Sequence, residues 1–386
     1  MLKYLGFVAT MALGISAASA QEVSLAAGIN EFGGKVLEQL VSKAKPDETV
    51  LVSPYSISAA LSLAALGAAG ETRNQMEKVL GLPKEVDWSA RHAALMAEIK
   101  GAKGVAMSVA NGIWGARDVT FRPDFEKRAK ADFGAAIEAV DFAAPETLLR
   151  INGWVSSETR GMIPNLIDQL DPALAAVLVN ALYFKGDWAE KFDVKGTEDA
   201  PFHLESGSAE TVAMMHRRDD FLYAETPEWQ AVSLPYAGHE FDMLVVLPRE
   251  GQKPLGALMA ALDAPLAERK GYLGLPKADL SAGAELARVL EDMGMGKAFS
   301  ASADFSAMCD QAAFISRVIH KTAMKMDEEG TEAAAATAVM MQKLFLPMEE
   351  APPFRMIVDR PYGLALRHRA SGVNLFMGVI ASPKAQ

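Results

Sequence analysis

The segment 176–184 restricts the fold of this chain more than any other part of its sequence. Every residue in it except Asn180 is apolar or aromatic, without the polar–apolar alternation expected of a half-exposed strand. An uninterrupted run of this kind is typical of a strand that is buried on both faces in the centre of a sheet. The sequence therefore predicts a central, fully covered strand.

Apolar residues at helical spacing dominate the first half of the chain, and short strand-like runs dominate the second half. Helices are predicted at residues 22–45, 56–67, 72–80 (with Thr72 as cap), 123–136, 145–158 and 284–293. Strands are predicted at residues 50–52, 105–114, 231–234, 241–247, 364–366 and 373–380. No internal repeat and no Gly/Ser- or Pro-rich linker divides the sequence, so we expect an α+β fold in one large unit.

The N-terminus has the pattern of a secretory signal. Lys3 precedes a mostly apolar stretch at residues 4–15, and Ala18-Ser19-Ala20 is a small-x-small cleavage site. We expect residues 1–20 to be a signal peptide and residues 21–386 to form a single domain that is secreted or periplasmic. The sequence after this stretch contains no run of about 18 apolar residues, so we expect no transmembrane helix.

Composition and motif content disfavour several functional classes. The net charge is −11 and no long basic run exists, so nucleic acid is not an expected partner. Cys309 is the single cysteine, which precludes an internal disulfide, and the six histidines lack the paired spacing of a zinc site. The Gly-x-Ser-x-Gly motif is absent, which disfavours a hydrolase, although a triad from dispersed residues remains an alternative. We expect no cofactor, no metal and no enzymatic activity.

The segment from Asp327 to Leu344 has two competing interpretations. Its run of four alanines, residues 333–336, has high helix propensity. As a strand, the segment would place Thr331 and alternate residues on an uncharged face, with Glu332 on the opposite face. The uncharged face could enter a packed sheet without burying an ion. On these residues alone, an Ala-rich helix is the favoured interpretation.

Five further motifs favour the strand. In chain order they lie at residues 52–72, 180–188, 318–334, 359–362 and 374–378, and read VSPYSISAALSLAALGAAGET, NALYFKGDW, VIHKTAMKMDEEGTEAA, DRPY and NLFMG. With this order and content, the chain resembles the serpin family over nearly all of its mature length. The resemblance implies an α+β fold with three β-sheets, about eight or nine surrounding helices, and an exposed reactive loop at about residues 328–353.

The resemblance also implies a function: irreversible suicide inhibition of a serine protease, which would be held as a covalent acyl complex by a monomeric inhibitor. The protease cleaves the reactive loop, and the freed loop inserts into the large sheet as an added strand. The implied hinge of the loop consists of Glu328, Gly330, Thr331, Glu332, Ala333, Ala334, Ala335, Ala336 and Thr337. Thr331 and the alanine run favour an inhibitory member, and a non-inhibitory binding or chaperone protein with the same fold is the alternative.

Three further sites follow from the resemblance. A polar shutter beneath the sheet would consist of Ser53, Ser56, Asn180 and His320, and Trp188 would lie at the breach, where the loop enters. Counting along the loop from Gly330 places the reactive bond at Leu344–Phe345, which favours a chymotrypsin- or elastase-like protease. A register shorter by one residue would use Lys343 and favour a trypsin-like protease, whereas counting back from Pro361 gives a bond near Glu349. A papain-like target is a further alternative.

Overall fold

In the computed structural model of this chain, the described residues are 16–82, 87–331 and 352–384. Most of the predicted hinge and the predicted reactive bond lie outside them; these residues are Glu332, Ala333, Ala334, Ala335, Ala336, Thr337, Lys343, Leu344 and Phe345. The predicted cleavage site at Ala20 falls inside a helix that begins at Ser16, and its processing stays a prediction.

The part of the chain that the structure describes contains eight α-helices and fifteen strands. The helices are α1 (Ser16–Val41), α2 (Pro54–Leu66), α3 (Gly70–Leu80), α4 (Trp88–Gly101), α5 (Pro123–Phe133), α6 (Pro145–Glu158), α7 (Pro254–Ala261) and α8 (Ala287–Leu290). The strands are β1 (Val50–Val52), β2 (Val105–Ala116), β3 (Ala136–Val140), β4 (Ala176–Asp187), β5 (Glu198–His203), β6 (Ala209–Glu225), β7 (Trp229–Pro235), β8 (Phe241–Pro248), β9 (Ala267–Pro276), β10 (Ala278–Glu285), β11 (Arg317–Met326), β12 (Gly330–Thr331), β13 (Phe354–Ile357), β14 (Tyr362–His368) and β15 (Asn374–Ile380).

A six-stranded sheet has the order β10–β11–β12–β4–β2–β3 and contains the predicted central strand. Every residue from 176 to 184 in β4 is buried, as the sequence predicted. The two faces of β4 contact different layers. Val177, Val179 and Ala181 pack with Ile151 and Val155 of helix α6. Leu178, Leu182 and Phe184 face the main core, to which helix α2 belongs.

The remaining strands form a nine-stranded sheet, ordered β1–β15–β14–β8–β7–β6–β9–β13, with β5 paired to β6. Strand β6 is 17 residues long and pairs with β5 through its first part and with β7 through its last part. Because β6 runs without interruption through both regions, two of the three expected sheets are joined by hydrogen bonds into one. The α+β architecture itself is as expected.

Helix α2 is unusual because all 13 of its residues are buried. It begins at Pro54, whose fixed φ suits the first helical position, and the Ser53 hydroxyl caps it by accepting a hydrogen bond from the Ser56 amide at 3.1 Å. The helix is therefore fixed at its N-terminus directly beside the six-stranded sheet.

Two local predictions were wrong. Thr72 does not cap α3, which begins at Gly70; its hydroxyl instead accepts a hydrogen bond from the Asp304 amide at 2.9 Å and ties α3 to a distant loop. The helix predicted at 284–293 shares its first residues with β10, which ends at Glu285, and only Ala287–Leu290 is α-helical before a π turn. Tertiary pairing with β11 overrode the local helix propensity there.

Helices long and apolar enough to cross a bilayer were not found in the described ranges.

Candidate functional site

The six-stranded sheet opens at one end, and the start of the predicted hinge lies in the opening. Strands β4 and β11 pair directly and in parallel from Val177–Arg317 to Tyr183–Ala323. Beyond that point the two-residue strand β12 lies between them, antiparallel to both: Thr331 pairs with Gly186 on β4 and with Met326 on β11. The first hinge residues therefore already form part of the sheet.

A tight turn delivers the chain into this opening. The Asp327 amide donates to the Gly330 carbonyl at 2.8 Å, and the Asp327 carboxylate accepts from the amides of Glu329 and Gly330 at 3.0 and 3.3 Å. Gly330 has φ +153°, and a Cβ there would lie 2.2 Å from the Gly186 carbonyl oxygen. The position therefore requires glycine.

Thr331 is the last hinge residue that the structure describes, and its side chain is fully buried. Its hydroxyl is hydrogen-bonded to the Tyr236 hydroxyl at 2.7 Å, and burial raises the pKa of that phenol. The Tyr236 ring stacks on Trp188 with 4.6 Å between centroids, and the Trp188 indole donates to the Asp327 carbonyl at 2.9 Å. Trp188 therefore contacts the turn in which the predicted hinge begins, and its role at the breach stays a prediction.

Glu328 anchors the same turn from the other side. Its side chain is buried and its carboxylate accepts hydrogen bonds from Lys277 and Thr197, each at 2.7 Å. Burial disfavours the ionised form of Glu328, but these two donors outweigh burial and hold the pKa of the carboxyl below its usual value. Lys191 forms a further ion pair with Glu329. The turn, which includes the hinge residues Glu328 and Gly330, is therefore held by charged contacts, whereas the buried side chain of Thr331 that follows it is uncharged.

The shutter lies farther along the same seam, where β4 and β11 are in direct contact. His320 and Asn180 face each other across the two strands, and the His320 Nδ1–Asn180 Oδ1 distance is 2.8 Å. The Ser53 amide donates to His320 Nε2 at 3.1 Å, and the Asn180 amide group donates to the Ser56 carbonyl at 2.9 Å. These bonds join β4, β11 and the N-terminus of α2, so the strands cannot separate without breaking them.

Asn111 on β2 is a fifth member of this network that the sequence analysis missed. Its side-chain oxygen accepts from Asn180 at 2.9 Å, and its amide group donates to the Phe133 carbonyl at 3.3 Å. A buried polar residue within the apolar strand 105–114 was the available signal. Conversely, Ser56 acts through its backbone, because its side-chain oxygen has no hydrogen-bond partner among the described residues.

The hydrogen bonds determine the state of His320. Nε2 accepts from a backbone amide, so it carries no proton, and Nδ1 must then donate to Asn180. The imidazole is neutral and 1% exposed, and burial lowers its pKa to about 3. A proton on Nε2 would oppose the Ser53 amide and leave a charge in the core.

We expect acid to destabilise the native protein through this residue. The unfolded chain binds a proton near pH 6.5, whereas His320 in the native state does so near pH 3. The contribution of neutral His320 to the free energy of unfolding is therefore complete above pH 6.5. It is lost as the pH falls from 6.5 to 3, and the loss reaches about 4 kcal/mol at pH 3. Urea unfolding at several pH values should show a smaller pH dependence for His320→Gln than for wild type, whereas His203→Gln, at an exposed position, should leave it unchanged. Equal pH dependence in all three proteins would contradict the assignment.

The six-stranded sheet is thus open at one end, where Thr331 lies between β4 and β11, and is closed farther along by the hydrogen bonds of the shutter. Residues 27–383 match the family described as serpin (serine protease inhibitor). The chain is 33% identical to leukocyte elastase inhibitor of Sus scrofa, over 90% of this chain and 96% of that protein. It is 34% identical to plasminogen activator inhibitor 1 of Bos taurus, over 97% of this chain and 98% of that protein. The chain belongs to the serpin family of serine protease inhibitors, and its predicted fold is confirmed.

Among solved structures, human thyroxine-binding globulin complexed with thyroxine is similar to this chain with a TM-score of 0.84 and 25% identity, over 95% of this chain and 100% of that chain. The fold is therefore shared with a protein whose name describes ligand binding. No group of three or more His, Cys, Asp or Glu residues in the described ranges is arranged to hold a metal ion.

Proposed function

We propose that this protein is an irreversible suicide inhibitor of serine proteases that acts by inserting its cleaved reactive loop between β4 and β11. The observation that carries the proposal is the position of Thr331, which pairs with both strands while they still pair with each other farther along. The opening is thus the beginning of the path that an inserting loop would follow.

The pairing register supports insertion without a shift of the strands along their axes. Continuing from Thr331, each inserted residue would lie between one residue of β4 and one of β11. The two residues that would flank each inserted residue are a pair that is in direct contact in the intact sheet, for example Ala181 and Lys321. Insertion therefore requires only that β11 move sideways from β4 by about one strand spacing, ~4.8 Å.

The same continuation would place Thr337 between Asn180 and His320. Thr337 is six residues beyond Thr331, and side chains an even number of residues apart on a strand lie on the same face. The Thr337 hydroxyl would therefore lie on the core face, as the Thr331 hydroxyl and the shutter do. The His320–Asn180 hydrogen bond would be lost on separation. A threonine can donate to one side chain and accept from the other, so it could replace that bond and leave neither group unpaired.

The length of the sheet supports the reactive bond at Leu344–Phe345 or one residue earlier. In the continued register, residue 341 would lie opposite Ala176, the first residue of β4. Cleavage after Leu344 would leave three residues between the sheet and the bound protease. Cleavage near Glu349 would add five more, up to about 17 Å of slack, and the protease would not be pressed against the inhibitor. Leu344 suits an apolar primary pocket, as in chymotrypsin- or elastase-like proteases, and Lys343 would suit a trypsin-like one.

The second candidate is a non-inhibitory ligand-binding protein, and the similarity to thyroxine-binding globulin favours it. The hinge distinguishes the two, because an uncharged Thr331 followed by alanines favours insertion. The similarity to leukocyte elastase inhibitor favours the inhibitory role and an apolar reactive residue.

We further propose that the protein acts as a monomer without catalytic turnover, and that it is exported after cleavage at Ala20.

The test uses the mature protein, residues 21–386, incubated with chymotrypsin, elastase and trypsin. We expect a complex that survives denaturing electrophoresis, because the acyl bond is covalent, and a released C-terminal peptide that begins at Phe345. A peptide beginning at Leu344 would assign the reactive residue to Lys343. Cleavage by all three proteases without any complex would contradict inhibition and favour the binding protein.

A further inference from the structure

A row of three side chains crosses the nine-stranded sheet beside the end of the reactive loop. Arg218 on β6 and Arg355 on β13 both pair in register with Tyr272 on the intervening strand β9. The two guanidinium carbons lie 5.2 and 4.6 Å from the centre of the Tyr272 ring. We call these three residues the arginine row.

The arginine row faces solvent. Leu273 and Met356, which follow Tyr272 and Arg355 on their strands, are fully buried, so the alternation of the strands directs the row outward. Arg218 and Arg355 are both exposed, and neither forms an ion pair with any described residue. This differs from the adjacent Arg217, which is mostly buried and contacts Asp219. Two cations held on one aromatic ring, with no ion-pair partner among the described residues, are prepared to bind an anion.

The position of the row indicates which anion it meets. The described chain resumes at Pro352 after the loop, and the Pro352 carbonyl accepts a hydrogen bond from Arg269 on β9 at 3.0 Å. Arg355 is eleven residues beyond Leu344, a separation of at most roughly 38 Å. A protease domain of about 230 residues has a diameter of about 45 Å. A protease that holds the reactive loop would therefore cover the surface around β13.

We propose that the arginine row is a secondary recognition site for the target protease, which binds carboxylate side chains that the protease carries beside its active-site cleft. This inference rests on the proposed inhibitory function. The chain as a whole is acidic, with a net charge of −11, so the row provides local attraction where overall charge would repel an acidic partner. Two adjacent cations are too few to retain a sulfated polysaccharide or a nucleic acid at physiological salt, which favours a protein partner.

The test compares second-order rate constants for inhibition of chymotrypsin, elastase and trypsin by wild type and by Arg218→Ala combined with Arg355→Ala. For the protease that wild type inhibits fastest, we expect the double variant to be about tenfold slower at low salt and about twofold slower near 0.5 M NaCl. The number of inhibitor molecules consumed per protease should not change, because the row does not lie on the insertion path. The control is Lys127→Ala combined with Lys130→Ala, which removes two exposed positive charges from α5 and should leave the rates unchanged.

Several outcomes would overturn the inference. Unchanged rates with all three proteases would exclude recognition by the row. An equal loss at low and high salt would indicate altered loop conformation rather than charge attraction. An effect that appears only when heparin is added would indicate a polysaccharide site. Arg218→Lys combined with Arg355→Lys keeps both charges and guards against a folding defect, and it should recover part of the rate. If wild type is cleaved but traps no protease, the proposed function fails, and the same comparison on the rate of loop cleavage still tests the row.

Discussion

Thr331→Arg should convert the protein from an inhibitor into a substrate. Thr331 is fully buried between β4 and β11, and the continuation of its strand passes through the core face of the sheet. An arginine there would have to be buried without a partner, at a cost of several kcal/mol. Each ~1.4 kcal/mol added to the barrier for insertion slows that step about tenfold. Deacylation would then be faster than loop insertion, and the protease would be released.

The measurement is the ratio of cleaved inhibitor to trapped protease. For Thr331→Arg we expect this ratio to rise at least tenfold, and the complex on denaturing gels to become faint or absent. Thr331→Val is the matched control. It keeps the shape and neutrality of the side chain but leaves the buried Tyr236 hydroxyl unpaired, at a cost of about 1–3 kcal/mol, which is less than that of a buried charge, so it should still trap protease. Efficient trapping by the arginine variant would show that loop insertion does not require an uncharged side chain at the buried position between β4 and β11.

The sequence predicted the strand β4 well because burial on both faces leaves a local signal, an unbroken apolar run. The hinge was harder to predict, since alanines support a helix as readily as a strand and only the neighbouring motifs indicated a sheet. What Thr331 contacts could not be read from the chain: Tyr236 is 95 residues away in sequence, and its hydroxyl reaches Thr331 only through the folded breach. Long-range contacts of this kind have no local pattern.

The shutter illustrates the same limit at a polar site. Its predicted members, Ser53, Asn180 and His320, are indeed joined by hydrogen bonds. Asn111 was missed because its role depends on the register of β2 against β4, where it lies opposite Asn180. Ser56 was predicted as a member without regard to its atoms, and its backbone carbonyl makes the contact. Residue type indicated which segments meet, whereas the atoms that meet were set by the backbone geometry of α2 and β2.

A disulfide across the insertion path should abolish inhibition reversibly. Ala181 on β4 and Lys321 on β11 pair directly, at a strand spacing of ~4.8 Å that a disulfide can bridge. In a Cys309→Ser background, Ala181→Cys combined with Lys321→Cys would tie the two strands together when oxidised. Sideways separation of β11 is then blocked, so the protease should cleave the loop and leave without being trapped. Reduction with dithiothreitol should restore the complex.

The matched control uses the other neighbour of the same residue. Ala110 on β2 also pairs with Ala181, on the side away from the insertion path. Ala110→Cys combined with Ala181→Cys would therefore place an equivalent crosslink in the same sheet, between two strands that move together. We expect the oxidised control to trap protease as well as wild type does, while the oxidised Ala181–Lys321 pair traps at least tenfold less. If both crosslinked proteins trapped protease equally, the loop would have to act without passing between β4 and β11. If both failed, general stiffness of the sheet, rather than a blocked path, would explain the loss.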